Sequence, residues 1–224
     1  MAVAGIDRWR GGWVIAELST TRVTLWTAKH IADACDRLAT HEAVAIDMPI
    51  ALAPRGTRSA EAEIRSVLGS SARSVFTSPT RAAVVAESQR AATDINRAHE
   101  GPGISAQAFG LFASICELRA TLDGPGFAHW WETHPETSFA LMNDGPPLAS
   151  KRTAGGVGQR LEQIARHLGL NHQVLLDAPD KVPVDDVLDA IASAWSARRI
   201  AAGTAALFGD PGRDDQGFPV GIRV

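Results

Sequence analysis

Single acids set in or at the ends of apolar runs give this 224-residue chain its pattern. Val3-Ala4-Gly5-Ile6-Asp7 is the first such run, and Arg8-Trp9-Arg10-Gly11-Gly12 turns it back into a second β-rich stretch, Trp13 to Leu18. Arg22 to Ala28 reads as a third strand, with Ser19-Thr20-Thr21 as a tight connection, so the three form an antiparallel meander. Residues 29 to 41 change to helical spacing, with Ile31, Ala34, Cys35 and Leu38 on one face. Ala43-Val44-Ala45-Ile46-Asp47 is nearly all apolar, as expected of a strand buried on both faces, and Pro49 stops its ladder.

Residues 54 to 101 change character, with Arg55, Arg58, Arg65, Arg73, Arg81, Arg90 and Arg97 strung along helix-like segments at 59–68 and 84–98. Between those segments Ser70 to Pro79 reads as an ordered loop anchored by Val75 and Phe76. A helix is expected from Ser105, its N-cap, to Leu122, closed by Pro125 and Gly126. Residues 127–134 read as a strand interrupted by Pro135. A loop with Gly145, Pro146 and Pro147 then leads to Lys151-Arg152-Thr153. Helices follow from about Gly158 to Leu168 and from near Pro183 through Trp195, and Phe218 to Val224 reads as a short edge strand. There is no internal repeat or low-complexity tract. The expectation is one domain over 1–224 with a mainly helical insertion at about 54–124.

With 45% hydrophobic and 21% charged residues, the chain has the make-up of an ordinary soluble globular protein. Its net charge of -3 gives no bulk attraction to nucleic acid, which argues against a dedicated DNA-binding module but not against an enzyme with a local basic groove. Cys35 and Cys116 have no metal-binding or redox spacing and read as buried free thiols of a reducing compartment. No signal peptide precedes the first strand, and no apolar run approaches the roughly 20 residues that span a membrane. A cytoplasmic protein without a membrane partner is expected.

The acids carry the chemistry. A carboxylate in a buried strand is costly unless charge or hydrogen bonds compensate it, so Asp7 needs a partner. Asp47 and Glu132 sit in or at the end of two further strands, and Asp186 and Asp189 share one helical face at i,i+3 spacing. The small residues after Asp189, Ala190-Ile191-Ala192, let that helix lie close against a sheet. With the strands of Asp7 and Asp47 side by side and parallel, and the helix across them, Asp7, Asp47 and Asp189 converge. All-oxygen donors suit hard divalent cations, and such ions support in-line phosphodiester hydrolysis. Taken singly, each acid also has a bland reading as a turn former, a loop starter or a first-turn helix acid.

These stretches resemble a known family. Gly5-Ile6-Asp7 with Gly11-Gly12-Trp13, and Ile46-Asp47-Met48-Pro49-Ile50, are similar to the family catalogued as domain of unknown function 429. So are Arg65 to Gly69, Ser74-Val75-Phe76 with Pro79, Ser105 with Gln107, Glu132-Thr133-His134-Pro135-Glu136 with Phe139, Lys151, and Asp189-Ala190 with Ala194-Trp195. Members of that family are predicted nucleases with a ribonuclease H-like fold. The resemblance implies an α/β architecture: a mixed sheet of an antiparallel three-strand meander plus parallel strands, with helices on both faces. It also implies that Asp7, Asp47 and Asp189 bind metal, with Glu132 filling the remaining coordination role. Asp186-x-x-Asp189 is similar to the last helix of RuvC-type resolvases, where two metal-binding residues share this spacing.

Other residues have two readings each. His134, just after its strand, is either a proton shuttle or general base, or a side chain that fixes the loop. Lys151, with Arg152 and Arg160 around Gly155-Gly156, can bring positive charge and amides to a phosphate, or the glycine pair is a flexible surface turn. Arg73 and Arg81 have few acids nearby and suit phosphate contacts, whereas the arginines among Glu61, Glu63, Glu87, Asp94 and Glu100 suit a solvated face. Gln107 can touch a base or sugar or serve a first helical turn. Trp9 is the tryptophan placed to stack on a base. The expected function is a nuclease using Mg2+ or Mn2+, with Asp7, Asp47, Glu132, Asp186, Asp189 and His134 as its working residues and nucleic acid as its partner. The alternative is a non-catalytic ribonuclease H-like protein that binds nucleic acid or a protein. An ATP-dependent phosphotransferase of related fold is a third reading, for which Gly155-Gly156 is a poor second phosphate loop.

Overall fold

The computed structural model describes residues 2–20, 22–124, 126–143 and 147–224. Thr21, Pro125, Gly145 and Pro146, which the sequence marks as turn residues, lie outside the described residues. The chain divides into two compact units, Met1–Met48 with Pro125–Ala206 and Arg223–Val224, and Pro49–Gly124 with Leu207–Ile222.

The first unit is built on β1 (Val3–Trp9), β2 (Gly12–Leu18) and β3 (Val23–Ala28), followed by α1 (Ala32–Leu38) and β4 (Ala43–Ile46). The second unit carries α2 (Ser59–Leu68), α3 (Gln89–Ala98), α4 (Ala106–Gly110) and α5 (Phe112–Leu122). The chain then returns to the first unit as β5 (Trp130–Glu132), α6 (Pro135–Met142), α7 (Ala154–Leu168) and α8 (Val184–Ala201). It ends with β6 (Leu207–Phe208), which pairs with β7 (Ile222–Arg223).

Among the described residues the main sheet runs β3-β2-β1-β4-β5. The first three strands form the antiparallel meander, while β4 runs parallel to both β1 and β5. This α/β architecture with a mixed sheet is consistent with a ribonuclease H-like fold. The all-apolar reading of β4 holds, since Ala43, Val44, Ala45 and Ile46 are wholly buried.

Helix α8 packs across β1, β2 and β4. Gly5 makes that packing possible, because a Cβ there would stand 2.0 Å from the Ala194 nitrogen and 2.2 Å from the Ala190 oxygen. Strand side chains alternate between faces, so Asp7, two residues on, shares the face of Gly5 that meets α8. A buried run from Val187 to Ala197, rich in alanine and serine, completes the contact from the helix side.

Elsewhere the boundaries shift for local reasons. The helix expected over 105–122 is two, broken at Leu111 just after Gly110, a poor helix former, and Ser105 does cap the first by accepting from Ala108 N at 3.1 Å. Helix α3 begins at Gln89, where the Ser88 side chain accepts from Ala91 N, rather than at 84. Helix α7 begins at Ala154, because Thr153 Oγ1 accepts from Gly156 N at 3.1 Å. The strand expected over 127–134 shrinks to Trp130–Glu132, and residues 135–142 form α6.

Candidate active site

The parallel strands bring their acids to one end of the sheet. Ile6 of β1 is level with Ile46 of β4, and Ile46 with Glu132 of β5. The ladders continue one residue further: Asp47 N donates to Ile6 O at 3.0 Å, and Thr133 N donates to Ile46 O at 3.0 Å. Asp7 and Asp47 are therefore level on the face that meets α8, with Thr133 level with them on β5, while Glu132, level with Ile6 and Ile46, lies on the opposite face at the same end of the sheet. Asp7 and Glu132 are buried and Asp47 is half-buried.

Helix α8 adds Asp189, which is buried, and Asp186, which is half-buried. Asp189 lies one residue before Ala190, whose oxygen sits over Gly5, so the close approach at Gly5 carries this turn of the helix to the Asp7 end of β1. Lys151, from the segment that precedes α7, forms an ion pair through Nζ with Asp189 Oδ2. Asp189 Oδ1 is buried without a hydrogen-bond partner among the described residues, as are Thr133 Oγ1 and Ser193 Oγ.

Burial and mutual repulsion shape the electrostatics. Burial pushes Asp7 well above the usual carboxylate range, and Asp189, Asp47 and Asp186 push it further against the pull of Lys151. Burial and Asp189 raise Asp47 to about 8, while Lys151 opposes them. Burial also raises Asp189 to about 6, restrained by the charge and hydrogen bond of Lys151. Asp186 is raised to about 6 by burial and by its neighbour Asp185, against Lys151 and Arg8. For Lys151 burial opposes the charge, but Asp189, Asp7 and Asp47 outweigh it and keep the ammonium protonated. The cluster is thus a group of acids in want of positive charge, with one ammonium inside it.

Among the described residues no group of three or more His, Cys, Asp or Glu side chains is arranged to hold a metal ion. Magnesium does not demand such a cage, since it is commonly bound by one or two carboxylates plus waters and substrate phosphate oxygens. The donors here are all oxygens, and Asp189 Oδ1 is buried with no hydrogen-bond partner among the described residues to compete with a cation. On those two counts the residues fit a hard divalent ion.

A second set of residues supports the first. Arg160 of α7, 2% exposed, donates from Nη2 to both Glu136 oxygens at 2.9 and 2.8 Å, and from Nη1 to Ala149 O at 2.8 Å and Gly156 O at 3.1 Å. Gly156 allows the segment to close on the helix, because a Cβ there would meet Ser150 O at 2.0 Å. The Gly155-Gly156 pair is therefore an ordered first helical turn, not a flexible loop. The phosphate reading of Arg160 does not hold, because its guanidinium is buried and engaged within the protein.

The remaining candidates lie elsewhere. His134 caps α6: its Nδ1 accepts from Thr137 N at 3.2 Å and lies 2.9 Å from Thr137 Oγ1. Trp9 is half-buried and lies over Gly11, where a Cβ would stand 2.3 Å from its ring. Arg73, Arg81 and Gln107 belong to the second unit. Arg73 and Gln107 are exposed there, but Arg81 is held by Asp215 at 2.6 and 2.9 Å, an acid 134 residues away that no local reading could supply. Cys35 and Cys116 are free and half-buried. No helix among the described residues is long and apolar enough to cross a membrane.

Comparison with known proteins adds one match. The family model described as protein of unknown function (DUF429) matches residues 5–213, a span that contains every acid of the cluster together with Lys151 and Arg160. No curated protein and no solved structure gives a significant match.

Proposed function

We propose that this chain, which belongs to the DUF429 family, is a divalent-metal-dependent nuclease that hydrolyses phosphodiester bonds. The observation that carries the reading is the group of buried Asp7 and Asp189 with half-buried Asp47, raised together by burial and repulsion, with an Asp189 oxygen that lacks a partner among the described residues. Asp7, Asp47 and Asp189 would hold Mg2+ or Mn2+, while Glu132, one residue out of register with them on β5, would act through its charge on Asp47. When bound, such an ion supplies Lewis acidity and a water of lowered pKa.

The chain's own residues do the rest. The Lys151 ammonium offers a point charge to a phosphate oxygen of the substrate. Asp186, half-buried on the turn before Asp189, is the acid best placed to exchange a proton with solvent. In the hydrolysis water attacks phosphorus: the water gives up a proton as its oxygen forms the new P–O bond, the P–O bond to the leaving sugar oxygen breaks, and that oxygen takes up a proton, so that one water is consumed for each bond cut. His134 is left out of this scheme because its Nδ1 is used to cap α6.

A non-catalytic role has one observation in its favour: the Lys151–Asp189 ion pair already supplies a cation to the acids. One assay separates the two readings. Binding of Mg2+ and Mn2+ by isothermal titration, with cleavage of labelled DNA and RNA, is compared for the wild type and Asp7→Asn. The nuclease reading expects metal-dependent cleavage that falls at least 100-fold in the folded variant. Equal cleavage by both proteins, or no cleavage by either with any labelled substrate, overturns it.

A further inference from the structure

Lys151 and the metal ion that the proposed function requires would compete for the same carboxylate, and the fold invests a buried arginine in keeping Lys151 there. We propose that Lys151 is a built-in competitor for the divalent cation at Asp189, and that Arg160 is the positioning residue that presents it. This inference rests on the nuclease reading and adds to it a device that sets metal affinity.

Lys151 is joined to the rest of the first unit through a short chain of contacts. Its segment leads into α7 and is fastened at two points. Arg160 Nη1 donates to Ala149 O at 2.8 Å, two residues before the lysine, and Thr153 N donates to Ser150 O at 2.9 Å, one residue before it. Arg160 is fixed in turn by both oxygens of Glu136 in the first turn of α6, and by the Phe139 ring, 5.2 Å from the guanidinium carbon. A guanidinium that is 2% exposed costs a good deal of solvation unless its donors are paired, and here Nη1 and Nη2 are taken up by two carbonyls and one carboxylate while Nε has no partner among the described residues. Two helices, α6 and α7, therefore combine to aim one flexible side chain. Without the anchor at Ala149, a lysine on a loop would have little reason to give up the entropy of a free side chain and enter a buried site.

Lys151 is half-exposed while Asp189 is buried, so the ammonium enters from the solvent side and can leave by the same route. A divalent ion bound to Asp189 brings two positive charges where the lysine brings one. The ammonium so displaced remains tethered beside the cluster, free for a phosphate oxygen. Metal loading and exposure of the phosphate-binding charge would then be one event.

The test reads metal affinity rather than turnover. Mg2+ and Mn2+ are titrated calorimetrically into the wild-type protein, Lys151→Met, Arg160→Met and Glu136→Gln, with circular dichroism to confirm that each is folded. The inference expects Lys151→Met to bind metal at least tenfold more tightly. Arg160→Met is expected to move the same way by a smaller factor. Glu136→Gln keeps a hydrogen-bonding partner for Arg160, so it should fold even where Arg160→Met does not, and should shift affinity slightly upward. A purely structural role for Arg160 would instead lower stability and leave affinity unchanged or weaker. Wild type that binds metal, with Lys151→Met binding equally or more weakly, overturns the inference and leaves the nuclease reading standing. Binding by Lys151→Met alone supports the inference, and absence of binding in all four proteins overturns both.

Discussion

At Asp47 the cost of this site can be given a sign. An aspartate outside the fold titrates near 3.8, whereas burial and Asp189 hold Asp47 up to about 8. The folded protein binds that proton more tightly than the unfolded chain does. Its stabilisation is therefore complete below about pH 4 and is lost as pH rises toward 8. Metal-free protein is expected to melt at progressively lower temperature from pH 5 to pH 8, and Asp47→Asn to flatten that decline, as read by thermal scans in EDTA. A Tm that rises over that interval would remove the repulsive cluster from the account. Mg2+ should raise Tm more at pH 8 than at pH 5, because ligand binding stabilises the fold only where the carboxylates are ionised. Most of these acids were legible as single carboxylates in apolar surroundings. The role of Lys151 was not, because its partner lies 38 residues away and a positive side chain on a loop reads as a phosphate contact. Arg160 was harder still, since nothing in its neighbourhood announces that an arginine between a glutamine and a leucine is buried.

Element positions decide whether those side chains meet. The crossing of α8 over β1 depends on Gly5, where any Cβ runs into helix backbone that cannot rotate away. Gly5→Ala is expected to destabilise the protein by about 1–3 kcal/mol, the usual cost of overpacking, and to weaken metal binding because Asp189 moves with the helix. Urea denaturation and calorimetry on the same samples check both halves, and a stable variant with intact binding would show that the crossing is not what gathers the acids. His134→Ala makes the contrasting case. Loss of an N-cap costs about 1 kcal/mol, and a residue confined to capping should leave the pH profile of cleavage unchanged. A displaced profile would return His134 to proton transfer. The apolar patterning made β1 to β4 and α8 legible, with β4 marked by an unbroken apolar run rather than by a period. Helix α6 is not legible in the pattern because it is short and Trp130 and Trp131 of β5 extend a strand pattern up to Pro135, although proline at a first helical turn is itself a start signal. The glycines at 155, 156 and 158 similarly concealed the first turn of α7, whose cap at Thr153 was the better guide.

For the whole molecule the question is how an acidic protein would take hold of a polyanion. The net charge is -3, and the cluster concentrates carboxylates where the scissile phosphate would have to sit. Two of the cations proposed from sequence do not offset this. Arg160 is buried in structural contacts and Arg81 is occupied by Asp215. The second unit's return segment at 207–222, which supplies Asp215, became visible only in three dimensions. Long-range attraction of the kind that lets basic proteins hold DNA through many released counter-ions is therefore weak here. If the cluster is the site of cleavage, substrate affinity must come chiefly from the bound metal and the lysine it frees. Nucleic-acid binding at about 150 mM salt is then expected to be undetectable in EDTA, to appear with Mg2+ in a cleavage-deficient variant that still binds metal, and to weaken several-fold on Lys151→Met. Gel retardation of labelled single- and double-stranded oligonucleotides reads all three. Arg81→Ala should change little, because an arginine already paired at the surface has no free charge to give and the pair itself contributes only about 0–1 kcal/mol. Retention that is equally strong in EDTA would point the other way, to a protein that binds nucleic acid without metal and uses its acids and Lys151 to hold the fold together.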